Sequence, residues 1–102
     1  MELFGLNEII IKNIVDIIKE YEEVTKAVIF GSRARGDYKK ASDIDIALFG
    51  DKLTNTINTK IFYQIEDLYI PYKVDLINFN TLSDENKIKE NILKEGVEIY
   101  AK

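Results

Sequence analysis

The sequence contains no cysteine, no histidine and no tryptophan, and only one proline and one methionine. Without cysteine there are no disulfides and no thiolate chemistry. Without histidine, a Ser-His-Asp triad and zinc sites of the usual type are excluded, together with the commonest general base. Any chemistry in this chain therefore depends on carboxylates, hydroxyls, lysines and arginines.

An excess of positive charge is also absent. Eighteen acidic residues outnumber 14 basic ones and give a formal net charge of −4, which argues against sequence-independent binding of nucleic acid. No apolar run approaches the roughly 18 residues of a membrane span. The N-terminal MELFGLNEII lacks the basic segment and cleavage site of a signal peptide. We therefore expect a cytoplasmic protein that does not enter a membrane.

The length and composition suit one core. The chain has 102 residues, of which 46% are apolar, and this is a common size for one domain. No internal repeat, low-complexity segment or linker divides the sequence. Residues 1–102 are therefore expected to form a single domain.

The first half of the chain alternates between helical and extended patterns. Asn7 is placed to cap a first helix that ends near Glu23. Apolar runs at 27–30 and 43–50 predict two strands, separated by the polar segment GSRARGDYKKAS at 31–42. About a dozen residues join these strands, which is too few for a full crossover helix with turns at both ends.

The second half continues this alternation. Helical spacing predicts a helix over 53–69, which Pro71 ends before a strand at 73–79. Ser83 is placed to cap a last helix that Gly96 closes, and the final VEIY is either a short strand or a docked tail. The order α-β-loop-β-α-β-α, with a helical turn allowed in the loop, predicts an α+β fold. In this fold a small mixed sheet carries helices packed on one face.

Two aspartates, Asp43 and Asp45, flank Ile44 at the start of the second strand. Because successive side chains of a strand point to opposite faces, the aspartates share one face, with Cβ atoms about 6.5–7 Å apart, and Ile44 faces the core. Like charges this close repel each other. Mg²⁺ suits such a pair, because hard cations bind carboxylate oxygens. Taken alone, the pair is more typical of a solvated strand face.

A third aspartate, Asp75, lies between two residues of the third strand that face the core. If that strand pairs beside the second, Asp75 shares a face with Asp43 and Asp45. Three carboxylates on neighbouring strands form the ligand set for two metal ions about 4 Å apart, as phosphoryl-transfer enzymes use. The three aspartates together therefore predict a site for two Mg²⁺ ions.

The segment between the first two strands begins with Gly31. Glycine directly after a strand lets the backbone approach a ligand, and Ser32 offers a hydroxyl. A helical turn starting near Ser32 would point free N–H groups at an anion. Arg33 and Arg35 bring positive charge beside the aspartates, which suits a metal–polyphosphate. GSRARG is also the first half of a P-loop, but Asp-Tyr replaces the Lys-Ser/Thr that must follow, so a P-loop is excluded.

At this point the sequence resembles a known family. Gly31-Ser32, ten further residues and then Asp43-x-Asp45 are the signature of the DNA polymerase β-like nucleotidyltransferases. The run GSRARGDYKKASDIDIAL resembles its minimal members, the MNT domains, which are often paired with HEPN proteins as antitoxins. The resemblance extends over nearly the whole chain.

The resemblance implies a Mg²⁺-dependent enzyme that transfers AMP from ATP to a tyrosine of a HEPN-type toxin and releases pyrophosphate. It assigns the triphosphate to Gly31, Ser32, Arg33 and Arg35, and the metal ions to Asp43, Asp45 and Asp75. The last of these also activates the acceptor hydroxyl. Larger members carry an extra domain for the acceptor. Here the acceptor has to come from another chain or from a second copy in a homo-oligomer.

Two other hypotheses compete with the enzyme. In the first, the chain is a binding module that neutralises a partner by direct complex formation, with a weak or vestigial nucleotide site. Isoleucines at positions 9 and 11 widen the apolar stripe of the first helix, which is then buried on two sides or offers a surface to a partner. In the second, the chain is a nucleic-acid-directed transferase. The acidic charge and the missing second domain argue against that hypothesis.

Overall fold

The computed structural model describes residues 2–102; Met1, the first residue of the predicted domain, lies outside the described residues. Helices and strands alternate along the chain. In order, they are β1 (Glu2–Leu3), β2 (Leu6–Asn7), α1 (Glu8–Ile18), β3 (Lys26–Phe30), α2 (Ser32–Arg35), β4 (Ile44–Phe49), α3 (Asn55–Glu66), β5 (Val74–Asn78), a 3₁₀ turn (Phe79–Thr81), α4 (Lys87–Glu95) and β6 (Val97–Ala101).

The strands β5, β4, β3 and β6 form a mixed sheet in that order. Strand β3 is antiparallel to both β4 and β6, whereas β4 and β5 run parallel. A parallel pair needs a crossover connection, and α3 supplies it between β4 and β5. The predicted α+β class with a mixed sheet is therefore confirmed. The C-terminal VEIY forms strand β6 rather than a docked tail.

Alternating strand residues build apolar clusters on the two faces of the sheet. On one face, Ile29 of β3 and Ile46 of β4 pack with Ile14 of α1 and Ile61 of α3, and all of them are fully buried. The two long helices thus cover one face, as predicted. Helix α4 differs, because its Ile92 belongs to the cluster on the opposite face. This helix links β5 at one edge to β6 at the other and contacts β3 on the way.

Helix α1 begins where the sequence predicts and ends earlier. The side chain of Asn7 accepts a hydrogen bond from the backbone N–H of Ile9 at 3.0 Å, which is N-cap geometry. The helix ends at Ile18 rather than near Glu23. Tyr21 continues the helical spacing but lies in the following turn, where its hydroxyl donates to a side chain of α3. It therefore contacts the helical layer without being part of a helix.

Helix α4 begins later than predicted, because Asn86 and not Ser83 is its N-cap. The side chain of Asn86 accepts from the N–H of Ile88 at 2.8 Å. Ser83 lies in the preceding turn, where its carbonyl accepts from the N–H of Asn86 at 3.0 Å. The β1–β2 hairpin was not predicted, since strands of two residues are too short to show a pattern. Among residues 2–102, no helix is both long and apolar enough to cross a bilayer.

Candidate active site

The sheet brings the predicted carboxylates and the glycine turn together. In the antiparallel register of β3 and β4, Asp45 lies opposite Phe30, the residue before Gly31. In the parallel register of β4 and β5, Asp45 lies opposite Asp75. Asp43 immediately precedes the first residue of β4. The strand that carries Asp75 therefore pairs beside the strand that carries Asp45, as the site hypothesis requires.

The carboxyl group of Asp45 is held in an unfavourable electrostatic setting. Burial, the charge of Asp75, a hydrogen bond with the Asp75 side chain and the charge of Asp43 raise the pKa of Asp45 from its ordinary value of 3.8 to about 6. Lys73 opposes this shift; its Nζ lies 3.8 Å from Asp75 Oδ1, and both side chains are exposed. A hydrogen bond between two carboxyl groups requires a proton on one of them.

The chemistry of these donors fits a hard divalent cation. Asp45 and Asp75 lie opposite each other in the parallel register of β4 and β5, and a cation bound between them would relieve their mutual repulsion. Ligands made only of carboxylate oxygens suit Mg²⁺. The arrangement is not a finished metal site: within residues 2–102, no group of three or more acidic side chains is assembled for an ion. Asp43 would have to join the Asp45–Asp75 pair when a metal binds.

The turn after β3 packs directly against the Asp45 carboxylate. Gly31 adopts φ 77° and ψ −156°, a region that only glycine occupies readily. A Cβ added at Gly31 would lie 2.5 Å from Asp45 Oδ2, so a larger residue does not fit. Helix α2 begins at Ser32 and ends at Arg35, and its C-cap, Gly36, has φ 94°. The predicted helical turn at Ser32 is therefore present beside the carboxylates. The first N–H groups of a helix lack partners within it.

Arg33 is placed differently from a phosphate ligand at a surface. Its side chain is 2% exposed, and its guanidinium donates to the carbonyls of Phe4 at 2.9 Å, Lys40 at 3.4 Å and Ser42 at 2.9 and 3.1 Å. A phosphate could reach this group only if these hydrogen bonds broke. Phosphate binding by Arg33 thus stays a prediction, and the bonding pattern favours a supporting role.

Arg35, by contrast, lies near the surface at the end of α2. Its Nη1 donates to Glu95 Oε2 at 3.0 Å, and its Nε donates to Asp37 Oδ2 at 3.3 Å. These hydrogen bonds, that with Glu95 first, raise the pKa of Arg35. A polyphosphate beside Ser32 would compete with Glu95 and Asp37 for this guanidinium. Arg35 therefore remains available to an anionic ligand.

Several residues near the site have no signal in the sequence. Glu95, the partner of Arg35, belongs to α4. Tyr38 and Tyr72 flank Arg33, with ring centroids 5.2 and 4.8 Å from its guanidinium carbon. Most of these pairs join residues that are far apart in the chain, so no local spacing could indicate them. Only a nearby pair, Arg33 with Tyr38, lies within the segment that the sequence already singled out.

Comparison with known families and relatives gives consistent matches. Residues 12–102 match the polymerase beta nucleotidyltransferase family. A protein of Methanocaldococcus jannaschii, named as a predicted protein adenylyltransferase, is 34% identical over 96 residues. That alignment covers 93% of this chain and 98% of the relative.

Solved structures share the fold. One chain of a toxin–antitoxin crystal structure with AMP-PNP superposes with a TM-score of 0.73 at 19% identity, covering 90% of this chain and 73% of that chain. A chain from the complex of a tri-AMPylated Shewanella oneidensis HEPN toxin with an MNT antitoxin gives a TM-score of 0.70 at 16% identity. It covers 93% of this chain and 72% of that one. At such identities the likeness concerns the fold alone.

Proposed function

The chain belongs to the polymerase beta nucleotidyltransferase family, and we propose that it transfers AMP from ATP to a tyrosine hydroxyl of a HEPN-type toxin, acting as its antitoxin. The observation that carries this proposal is the contact of Asp45 with both Asp75 and the Gly31 turn. A nucleotidyltransferase needs a place for a metal next to a place for a triphosphate. The proximity of Asp45 to Asp75 and to the Gly31 turn supports two such places side by side.

The phosphate side of the site consists of the α2 turn and the exposed guanidinium of Arg35. Ser32 offers its hydroxyl and the N–H groups at the start of α2, which favour a negative charge. Arg35 adds positive charge after exchanging Glu95 for phosphate oxygens. The absence of a side chain at Gly31 lets the backbone of this turn lie directly against the Asp45 carboxylate.

The metal side consists of Asp43, Asp45 and Asp75, which would hold Mg²⁺. When bound, Mg²⁺ supplies charge neutralisation for the phosphates and holds the reacting groups in line. Binding also offsets the causes that raise the pKa of Asp45, which are burial first and then the neighbouring carboxylates. Two ions, as the sequence predicts, remain part of the proposal.

The transfer itself is a displacement at phosphorus. The oxygen of the acceptor hydroxyl attacks the α-phosphorus, a new P–O bond forms, and the bond to the bridging oxygen of the β-phosphate breaks. Pyrophosphate leaves, and the hydroxyl proton passes to the carboxylate of Asp75. This residue is suited to the role because its side chain is 41% exposed, so a group from another molecule can reach it.

The partner is proposed from the relatives. Two solved structures with this fold contain a toxin–antitoxin with AMP-PNP and a tri-AMPylated HEPN toxin with an MNT antitoxin. The M. jannaschii relative is named for transfer to protein. Both support ATP as the donor and a protein as the acceptor. A cytoplasmic location and a homo-oligomeric state stay predictions.

A binding module that covers its partner is the second candidate function. A groove of about 570 Å³ lies between the β1–β2 hairpin, α1 and β6, and Ile9, Ile11, Val15 and Ile99 line it. Ile9 is 48% exposed, as expected if the widened stripe of α1 meets another protein. This reading requires only complex formation and predicts neutralisation without transfer.

The decisive experiment compares Asp43→Asn with wild type. Each is incubated with Mg²⁺–ATP and a candidate partner, the product of the gene next to its own, and the intact mass of that protein is followed with time. Wild type should add the mass of AMP, whereas Asp43→Asn should lose at least about a hundredfold in rate, a loss typical of removing one essential catalytic group. Asn preserves the shape of Asp, so the fold should persist.

Asp51→Asn is the matched control, because Asp51 lies in the exposed turn after β4 and should transfer at the wild-type rate. If Asp43→Asn also transferred at the wild-type rate, the mechanism would be wrong. If neither wild type nor Asp43→Asn modified the partner but both neutralised it by binding, the binding module would replace the enzyme as the proposed function.

A further inference from the structure

The guanidinium of Arg33 is buried among backbone carbonyls. It has 2% exposure and donates to Phe4 O, Lys40 O and Ser42 O. Among the described residues, none of these acceptors is a carboxylate, so the cation is stabilised by charge-assisted hydrogen bonds to carbonyls instead of an ion pair. Such an arrangement fixes backbone positions, because the carbonyl of Phe4 lies far along the chain from those of Lys40 and Ser42.

These contacts join the two halves of the site. Arg33 directly follows Ser32 of the phosphate turn, and Ser42, which accepts from both Nε and Nη2, directly precedes Asp43. Between them runs the site loop, defined as residues 36–42, which is exposed apart from Ser42. Arg33 therefore sets the distance across the ten residues that separate Ser32 from Asp43 in the sequence.

The third strand of the site is connected to the same guanidinium. Tyr72, in the turn before β5, stacks near it with a centroid distance of 4.8 Å, and β5 carries Asp75. Tyr38 of the site loop approaches at 5.2 Å. Cations near aromatic faces are attracted by the ring quadrupole, more strongly where water is excluded. Arg33 thus contacts each main-chain segment that leads to a proposed ligand of the phosphate or the metal.

The β1–β2 hairpin completes this arrangement. Its turn provides the Phe4 carbonyl, and Gly5 packs so closely on the Tyr38 ring that any Cβ there would collide with it. The hairpin precedes the residues matched by the family model, which begin at position 12. The hairpin therefore holds the site loop from a segment outside the matched range.

We propose that Arg33 is a positioning residue that locks the site loop, with the hairpin, so that Asp43 stays in register with the Gly31–Ser32 turn. It does so without contacting phosphate. The inference rests on the proposed function, because it concerns the same metal and nucleotide. It differs in what a substitution changes: loss of a positioning residue raises the Mg²⁺ concentration that nucleotide binding requires, whereas loss of a phosphate ligand weakens nucleotide affinity at saturating Mg²⁺.

The test uses Arg33→Lys, which keeps the charge but cannot reach all three carbonyls. ATP binding is titrated calorimetrically over a range of Mg²⁺ concentrations, at a temperature where circular dichroism shows each protein folded. Arg33→Lys should need roughly 10–100-fold more Mg²⁺ for half-maximal binding, as is typical when a residue that orients metal ligands is lost. At saturating Mg²⁺ its ATP affinity should stay close to wild type.

A second readout requires neither metal nor nucleotide. Trypsin cleavage after Lys39 and Lys40, in the metal-free protein, reports how firmly the site loop is held. Cleavage should be faster in Arg33→Lys. Tyr38→Leu, a milder change at an exposed residue, should shift both readouts in the same direction and serves if Arg33→Lys does not fold. Ile14→Ala, at a fully buried position of α1, controls for lost stability and should leave the Mg²⁺ requirement and loop cleavage unchanged.

The outcomes separate the possibilities. Weaker ATP binding by Arg33→Lys at saturating Mg²⁺, with an unchanged Mg²⁺ requirement, would identify a phosphate ligand and overturn the inference. Wild-type behaviour of both variants would overturn it as well, as would an equal shift in Ile14→Ala. Failure of wild type itself to bind Mg²⁺–ATP would contradict the proposed function and remove the inference with it.

Discussion

At the scale of a single residue, Asp45 shows why the site is poised for a cation. It lies opposite Asp75 in the register of β4 and β5, and the register of β3 and β4 brings it beside Gly31. A strand position with this many acidic neighbours is costly in the metal-free protein, since the ionised form is disfavoured. Function and stability therefore oppose each other at this residue.

The raised pKa makes a testable statement about stability. Between pH 4 and 6 the folded protein keeps a proton on Asp45 that the unfolded chain has lost, because the pKa is 3.8 ordinarily and about 6 when folded. The free energy of unfolding therefore falls as pH rises through this window, and the cost is fully present above it. Asp45→Asn should be more stable than metal-free wild type at pH 7, by about 1 kcal/mol after allowance for solvent screening.

The measurement is thermal or urea unfolding of both proteins in EDTA from pH 4 to 8. The stability difference should be small at pH 4 and grow up to about pH 6, the value to which the pKa of Asp45 is raised. Asp51→Asn supplies the comparison, since that carboxylate stands in an exposed turn. An Asp45→Asn protein no more stable than wild type at pH 7 would show that burial and the acidic neighbours do not disfavour the ionised form of Asp45 as described.

At the scale of an element, helix α2 is a single turn between two glycines. Its hydrogen bonds are those of a short helix, from Arg35 N to Gly31 O at 3.0 Å and from Gly36 N to Ser32 O at 2.9 Å. Both glycines have positive φ, but only Gly31 has a neighbour that a Cβ would strike. Gly36 is thus constrained only by its backbone conformation, whereas Gly31 is constrained by its conformation and by its contact with Asp45.

A matched pair of substitutions follows from this difference. Gly36→Ala should cost roughly 1–2 kcal/mol in stability, the usual penalty for a side chain in the left-handed region, and should still bind Mg²⁺–ATP. Gly31→Ala should cost more, roughly 3 kcal/mol, because strained backbone adds to the collision with Asp45, and should lose nucleotide binding. Urea unfolding and calorimetric titration measure the two effects. Equal behaviour of the two variants would mean that the contact with Asp45 is unimportant.

At the scale of the whole molecule, the site is assembled from β3, β4, β5, α2 and α4, so its parts come together only when the sheet is complete. A ligand that bridges these parts binds the folded state and not the unfolded chain. It should therefore stabilise the entire protein and not one segment of it.

Thermal unfolding with and without Mg²⁺–ATP checks this coupling. At a ligand concentration 100 times the dissociation constant, the stabilisation should be about 2.7 kcal/mol, which raises Tm by roughly 10–20 °C in a domain of this size. Asp43→Asn should show little of this increase, and so should wild type with ATP in EDTA. A full increase in EDTA would show nucleotide binding that does not involve the carboxylates.

Much of this protein is determined by local patterns in its sequence. The alternation around Asp43 and Asp45, the apolar strand that carries Asp75 and the glycine before Ser32 indicate both the fold class and the candidate ligands. Asn7 is likewise a cap in sequence and in structure. These features depend on the periods of helix and strand and on backbone conformations that one residue type allows, and neither needs a distant partner.

Only the tertiary structure decided what depends on distant contacts. Arg33 and Arg35 look alike in sequence. In the structure, Arg33 is buried and donates to the carbonyls of Phe4 and Ser42, whereas Arg35 pairs with Glu95 at the surface. The cap at Asn86, the strand at the C-terminus and the face covered by α4 were settled in the same way. A side chain's role depends on which groups surround it after folding, and those groups come from parts of the chain that no local spacing connects.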